Sequence, residues 1–209
     1  MDPCELYRVL LGRYPVPPVW SEDPYVVMVQ SVMVQNTSWG SVISTCARMG
    51  NLIRPSEIAR MRSEELEDHI RACGFCKRKA AAILSLTDWY SRYGFVPGEV
   101  SAVSPETLLT ELLAIRGIGR ETADVILCYA FGFPVIVIDA YLRVLLRHIG
   151  VIFGDDDDIR AYLEPVRSMG TDACRMFHRA VLEHSITVCG RKPKCEACAL
   201  RDFCVDGSE

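Results

Sequence analysis

Apolar residues that recur at three- and four-residue spacing dominate the sequence, and this is the period of an amphipathic α-helix. The strict alternation of a half-buried β-strand is nearly missing. The β-branched run at 135–138 is short and leads directly into a helical pattern, so we interpret it as a buried approach to a helix. The fold class is therefore all-α. Helices are predicted over 4–12, 24–34, 39–48, 56–61, 63–72, 77–92, 105–115, 121–131, 139–149, 158–169 and 172–187.

Turn-forming residues separate these helical patterns. Gly, Pro and Ser residues between 93 and 104 are interpreted as a connecting segment, with Ser104 as the N-cap of the next helix. Four consecutive aspartates at 155–158 suit the start of another helix. We find no repeat and no low-complexity linker, which indicates a compact chain.

Length and charge limit the class of protein. The chain has 209 residues, of which 50% are hydrophobic, so it can bury the core of one or two domains. No secretory signal pattern and no apolar run near the ~20 residues of a membrane span are present, so we expect an intracellular protein without a membrane partner. The net charge of -4 argues weakly against nucleic acid, but the aspartates at 155–158 account for all of it. Basic residues gather at 76–79, 116–120 and 190–194.

Gly117 and Gly119 lie in a short turn between two helical patterns, flanked by Arg116 and Arg120. Glycines allow positive φ and a close approach to the backbone, and the following helix begins with outward N–H groups that suit a phosphate. A tight corner between two helices explains the same glycines equally well. Spacing alone leaves both interpretations open.

Asp139 directly follows the β-branched run and starts a helical pattern. An N-cap is the simplest explanation. A partly desolvated carboxylate beside a cleft can also serve as a base or stabilise a cation. The sequence pattern does not choose between these roles.

Four of the ten cysteines lie within sixteen residues in the pattern C-x5-C-x2-C-x5-C. Thiolates this close together repel unless a metal neutralises them, and such a set suits zinc or an iron-sulfur cluster. The chain is long and rich in aliphatic residues, which argues against a secreted disulfide scaffold. The candidate ligands are Cys189, Cys195, Cys198 and Cys204.

Together, the glycine turn, Asp139 and the cysteine pattern resemble the DNA glycosylases of the endonuclease III (HhH-GPD) superfamily. The resemblance implies a two-domain helix-hairpin-helix fold, with a six-helix domain at 21–134 and a second domain formed by 1–20 plus 135–209. It also implies double-stranded DNA with a damaged or mismatched base as the partner, bound by a monomer across the cleft between the domains. A C-terminal loop carrying a [4Fe-4S] cluster is implied as well, with zinc as the alternative. The family usually has six residues in the first gap between cysteines, whereas this chain has five.

The same resemblance assigns roles to individual residues. Asp139 matches the catalytic aspartate of base excision. Gln35 matches the residue that fills the gap left by the flipped base, and Phe75 matches a wedge on the opposite strand. The hairpin that binds a phosphate, with a monovalent cation on its carbonyls, corresponds to Gly117, Ile118, Gly119 and Arg120.

Glu121 departs from the family pattern. Bifunctional members have a lysine at this position, which attacks the sugar and leads to strand cleavage, and a glutamate cannot do so. Lys77 and Lys79 lie in a different hairpin and do not match that position. The sequence therefore predicts a monofunctional glycosylase with little or no lyase activity.

The substrate is predicted less directly. The sequence around Gln35 and the hairpin looks closest to the 3-methyladenine DNA glycosylase III branch, in which Trp39 would line an aromatic pocket for an alkylated purine, with Glu121 at its edge. Packing of Trp39 in the core is the alternative interpretation. Other functions that remain open are removal of uracil or thymine from mismatches, removal of oxidised pyrimidines, and binding of lesions without catalysis.

Overall fold

The computed structural model describes residues 1–16 and 21–205 and shows an all-α protein, with no β-strand in that part of the chain. Short 3-10 helices occur at Gly50–Leu52, Arg71–Cys73, Cys195–Ala197 and Arg201–Phe203. The α-helices are α1 (Pro3–Arg13), α2 (Pro24–Met33), α3 (Trp39–Met49), α4 (Pro55–Ile58), α5 (Ser63–Ile70), α6 (Cys76–Ser91), α7 (Pro97–Ser101), α8 (Pro105–Ala114), α9 (Arg120–Val125), α10 (Ala140–His148), α11 (Asp156–Tyr162), α12 (Glu164–Arg167) and α13 (Thr171–Thr187).

The chain divides into two compact units. The continuous unit is Ser21–Phe133, and the split unit joins Met1–Trp20 with Pro134–Glu209. Residues 17–20 and 206–209, which the sequence analysis assigned to the second domain, lie outside the described residues.

Helix α2 forms the centre of the continuous unit. Eight of its ten residues are buried, which explains why apolar residues occur on more than one face of the helix. It packs against α6 and against the helical segment that follows α9. The split unit has its own core, in which α13 packs against α1 and α10.

Side-chain caps fix several helix starts, including two that the sequence analysis placed at Ser104 and at the four aspartates. The Ser104 hydroxyl accepts the backbone N–H of Thr107 at the start of α8, with Pro105 as the first helical residue. The Asp155 carboxylate accepts the backbone N–H groups of Asp157 and Asp158 at the start of α11. Both predictions are confirmed.

Three helix predictions need correction. The segment taken as a connection contains the short helix α7. The predicted helix at 158–169 is two helices, because Pro165 has no N–H to continue the backbone ladder from α11 into α12. The predicted helix at 121–131 changes from α9 into a π-helix at Ile126–Ala130, all five residues of which are buried.

The β-branched run forms no strand, as expected. Ile136, Val137 and Ile138 are buried and lead directly to Asp139 and α10. Among the described residues, no helix has both the length and the apolar character that crossing a membrane requires.

Candidate functional site

Gly117 is required by the hairpin between α8 and α9. Its φ of +100° lies in a region that side chains other than glycine rarely adopt. A Cβ atom added at Gly117 would lie 3.0 Å from the Cβ of Ala82 on α6. The turn is therefore packed closely against α6.

Gly119 differs from Gly117 in its backbone conformation and in the space around it. Its φ of -94° and ψ of 176° are extended backbone that any residue can adopt, so positive φ does not require a glycine here. Among the described residues, no heavy atom lies within 4 Å of a Cβ atom added at Gly119. The missing side chain leaves open space in front of the first turn of α9.

Ile118 and Arg120 anchor the hairpin on either side of Gly119. Ile118 is buried, and its backbone N–H donates to the carbonyl of Ile115 at 3.0 Å. The Arg120 guanidinium donates through Nε to both carboxylate oxygens of Asp124, at 3.0 and 3.2 Å. Asp124 is buried, whereas 42% of the Arg120 side chain is exposed. A buried acid thus holds an arginine that still faces solvent.

Gln35 is joined to this hairpin by its side-chain amide. The Nε2 atom donates to the Gly117 carbonyl at 3.1 Å and to the Thr122 hydroxyl at 2.9 Å. Two residues assigned separately by the resemblance therefore lie in direct contact within the continuous unit.

Phe75 presents an exposed aromatic ring at the start of α6. It is 63% exposed and has a φ of 46° in the left-handed region, next to Gly74 with a φ of 67°. A bulky residue with positive φ is uncommon, and an exposed phenyl ring makes little packing contribution. The geometry is that of a ring held out from a tight turn.

Trp39 and Glu121 both lie in the first turn of a helix. Trp39 begins α3 and is 40% exposed, so the interpretation that it packs in the core is wrong. Ile43, one turn further along α3, is also exposed. Glu121 is exposed on α9, where a carboxylate suits the positive end of the helix dipole.

Asp139 is buried and uses its carboxylate in two ways. One oxygen accepts the backbone N–H of Leu142 at 2.8 Å, so the N-cap interpretation is confirmed. The other oxygen lies 3.6 Å from Nε2 of His178, a buried residue of α13. The carboxylate is therefore both a cap and one member of a pair of titratable groups inside the split unit.

The cysteine loop contains sulfur atoms near histidines. The Nδ1 atom of His148 lies 3.2 Å from Sγ of Cys189, and Nε2 of His184 lies 4.0 Å from Sγ of Cys198. Burial raises the pKa of the Cys198 thiol, and the neighbouring Cys204 and Cys195 thiols raise it further. The backbone N–H of Leu200 donates to the same sulfur at 3.4 Å and lowers the Cys198 pKa, which offsets part of this rise.

The donor chemistry of the loop fits a metal. Four thiols in one loop match the ligand type of zinc and iron-sulfur sites. Within residues 1–16 and 21–205, however, no three Cys, His, Asp or Glu side chains are arranged as ligands of one ion.

Residues 29–168, well over half of the chain, match the model of the HhH-GPD superfamily of base excision DNA repair proteins. The chain belongs to this superfamily. Over 209 aligned residues it is 31% identical to a putative DNA repair glycosylase of Methanocaldococcus jannaschii, covering 96% of this chain and 94% of that protein.

Solved structures show the same fold. An endonuclease III in a non-covalent complex with DNA matches with a TM-score of 0.79 at 21% identity, covering 99% of this chain and 97% of the other. The 3-methyladenine DNA glycosylase of H. pylori bound to 1,N6-ethenoadenine matches with a TM-score of 0.73 at 22% identity, covering 88% of this chain and 97% of the other. The family match and the M. jannaschii relative identify the chain as an HhH-GPD base excision repair DNA glycosylase.

Sequence reasoning did not single out the histidines of this glycosylase. The chain has four histidines, and His148, His178 and His184 each lie beside a candidate residue of the split unit. The small number of histidines was the only sequence signal that could have drawn attention to them. Their partners lie 14 to 41 residues away along the chain, beyond the spacing of any single motif, so the fold brings them together.

Proposed function

We propose that this protein is a monofunctional DNA N-glycosylase that removes an alkylated purine, such as 3-methyladenine, with Asp139 as the catalytic carboxylate. The observation that carries the proposal is the buried carboxylate of Asp139, one oxygen of which faces His178 rather than a backbone donor. A desolvated carboxylate stabilises positive charge on the sugar as the glycosidic bond breaks, and it can accept a proton from the attacking water.

The hairpin is proposed to bind one phosphate of double-stranded DNA. Gly119 leaves the backbone before α9 open to an approaching oxygen, and Arg120 supplies a solvent-facing positive charge nearby. Ile118 anchors the turn. The Gly117 carbonyl already accepts the Gln35 amide, and the monovalent cation expected on the hairpin carbonyls stays a prediction.

Gln35 and Phe75 are proposed to enter the duplex when the damaged nucleotide is extruded. Extrusion leaves a gap in the stack, and a polar amide and an aromatic ring can fill it from the two strands. The exposed ring of Phe75 and the half-buried amide of Gln35 support this assignment.

Glu121 supports base removal without strand cleavage. A carboxylate has no lone pair on nitrogen with which to form an imine with the sugar, so the lyase pathway lacks its nucleophile. Water is then the attacking group at C1′, and the base leaves with the electrons of the broken bond.

The exposed ring of Trp39 supports a cationic substrate. A purine that is alkylated on a ring nitrogen, as in 3-methyladenine, carries positive charge in DNA, and the face of an indole ring attracts cations. The carboxylate of Glu121 is proposed to lie at the edge of the same pocket and to favour the same charge.

The cysteine loop is proposed to hold a [4Fe-4S] cluster through Cys189, Cys195, Cys198 and Cys204, with zinc as the alternative. A bound cluster would cross-link the loop and fix basic residues such as Lys192 and Lys194.

A panel of duplexes with single lesions tests the proposed function. The wild-type protein is expected to release methylated purines, and Asp139→Asn, which can still cap α10, is expected to release them at least about 100-fold more slowly. Asp155→Asn is a matched control, because Asp155 caps α11 in the same unit. Release of uracil, thymine or an oxidised pyrimidine instead would overturn the substrate assignment. Release by Asp139→Asn at the wild-type rate would leave Asp139 as a cap alone.

A further inference from the structure

Lys79 is a buried lysine in the first turn of α6, with 3% of its surface exposed. Its Nζ atom donates to the Met33 carbonyl at 2.8 Å and to the Cys73 carbonyl at 2.6 Å. Burying an ammonium group is costly unless polar partners replace its water, and here the burial lowers the pKa of Lys79. An apolar side chain at this position would avoid that cost. The two hydrogen bonds to carbonyls therefore indicate that the ammonium group has a specific structural role.

The two carbonyls belong to the ends of two elements. Met33 is the last residue of α2, and Cys73 is the last residue of the 3-10 helix Arg71–Cys73. The final carbonyls of a helix have no donor within the helix and need an outside partner. One ammonium group supplies both, so it fixes the positions of the two ends relative to each other.

Each of these ends leads within two residues to a residue proposed to enter DNA. Gln35 follows Met33, and Phe75 follows Cys73. Both turns contain a non-glycine residue with positive φ, namely Asn36 at 53° and Phe75 at 46°. Such strained conformations persist only where surrounding contacts hold them, and a hydrogen bond to the carbonyl beside the turn is a contact of that kind.

We propose that Lys79 is a positioning residue that holds the turns of Gln35 and Phe75 in one register, so that both side chains enter the duplex together. The proposal rests on the DNA-inserting roles given to Gln35 and Phe75 above. Lys79 itself contacts backbone carbonyls and acts only through the two turns.

A double-mutant cycle tests this inference. Affinities of the full-length protein are measured for a duplex with a tetrahydrofuran abasic-site analogue and for the same duplex without damage. Lys79→Met and Phe75→Ala are each expected to lower the preference for the abasic duplex about tenfold, and the double variant is expected to lose little more than either one. Non-additivity is expected because both changes remove the same insertion.

Thr87→Val is the matched control. Thr87 is also buried on α6, and its hydroxyl donates to the Ile83 carbonyl at 2.7 Å, far along the helix from both turns. This variant is expected to lower the melting temperature and to keep the abasic preference. If Lys79→Met does not fold, Lys79→Gln takes its place in the cycle, because its side chain is one bond shorter and cannot join both carbonyls in the lysine geometry.

The outcomes separate this inference from the proposed function. The positioning role alone is overturned if Lys79→Met keeps the wild-type preference for the abasic duplex. It is also overturned if Thr87→Val loses that preference to the same extent. Independent losses that multiply in the double variant also overturn it. A wild-type protein without any preference for the abasic duplex overturns the proposed function, and the inference with it.

Discussion

The carboxylate of Asp139 and the imidazole of His178 face each other inside the split unit, with Oδ2 and Nε2 3.6 Å apart and both side chains buried. The other carboxylate oxygen is fixed by the backbone of Leu142. The imidazole ring therefore restricts the rotation of the carboxylate on the side of Oδ2. Orientation of a reacting group by a neighbour is a common source of catalytic rate.

Replacing this imidazole should slow base release without preventing folding. We expect His178→Gln to lower the single-turnover rate about tenfold, or about 1.4 kcal/mol in activation free energy, with little change in affinity for the duplex. His69→Gln, on α5 of the continuous unit, is the control. In the Asp139→Asn background, His178→Gln should cause no further loss. A further tenfold loss there would show that His178 does not act through Asp139.

The two glycines of the hairpin should fail in different ways. Gly117→Ala forces a side chain into positive φ and against Ala82, so urea denaturation should show a loss of about 1 to 3 kcal/mol in the free energy of unfolding.

Gly119→Ala has space for its methyl group and should unfold like wild type, yet it should bind undamaged duplex about tenfold more weakly in fluorescence anisotropy, because the methyl group blocks the phosphate. Gly98→Ala on α7, which also meets open space, is the control. If Gly119→Ala binds duplex with wild-type affinity, the proposal that this turn binds a DNA phosphate is overturned.

The sequence predicted the helices well because burial on one face leaves a periodic pattern that survives in the chain itself. The break before α12 is marked in the sequence by Pro165, but the apolar pattern continues across it. The π-helix at Ile126–Ala130 was not predicted, because the apolar period does not distinguish its backbone hydrogen bonds from those of an α-helix. Asp139 was found as a cap and as a catalytic candidate. His178 was not, because only the fold brings α13 to the start of α10.

The sequence also did not predict which individual side chains are buried or exposed. Trp39 and Phe75 are large apolar residues that composition would place in a core, yet both are exposed. Lys79 is charged and would be expected at the surface, yet it is buried against two carbonyls. Ile152 and Ile186 are more exposed than Phe75 and have no proposed role, so exposure alone does not identify a functional residue.

The position of Glu121 should control whether the protein can be trapped on DNA. The wild-type protein is expected to form no covalent adduct with an abasic duplex under borohydride, because a carboxylate forms no imine. Glu121→Lys places an amine in the exposed first turn of α9 and should give a detectable adduct on a denaturing gel. Glu106→Lys, in the first turn of α8, should not. Efficient trapping of wild type would overturn the monofunctional assignment.

The cysteine loop should hold iron in the purified protein. We expect a brown protein with about four iron atoms and as many sulfide ions per chain, and Cys198→Ser should lose most of both, because each thiolate ligates the cluster. Cys4→Ser, which removes a thiol of the same intermediate exposure from α1, should keep the iron. Loss of the cluster should also lower the melting temperature, since binding free energy adds to folding free energy. A colourless protein with one zinc ion per chain would overturn the iron-sulfur assignment and would assign zinc to the same four residues.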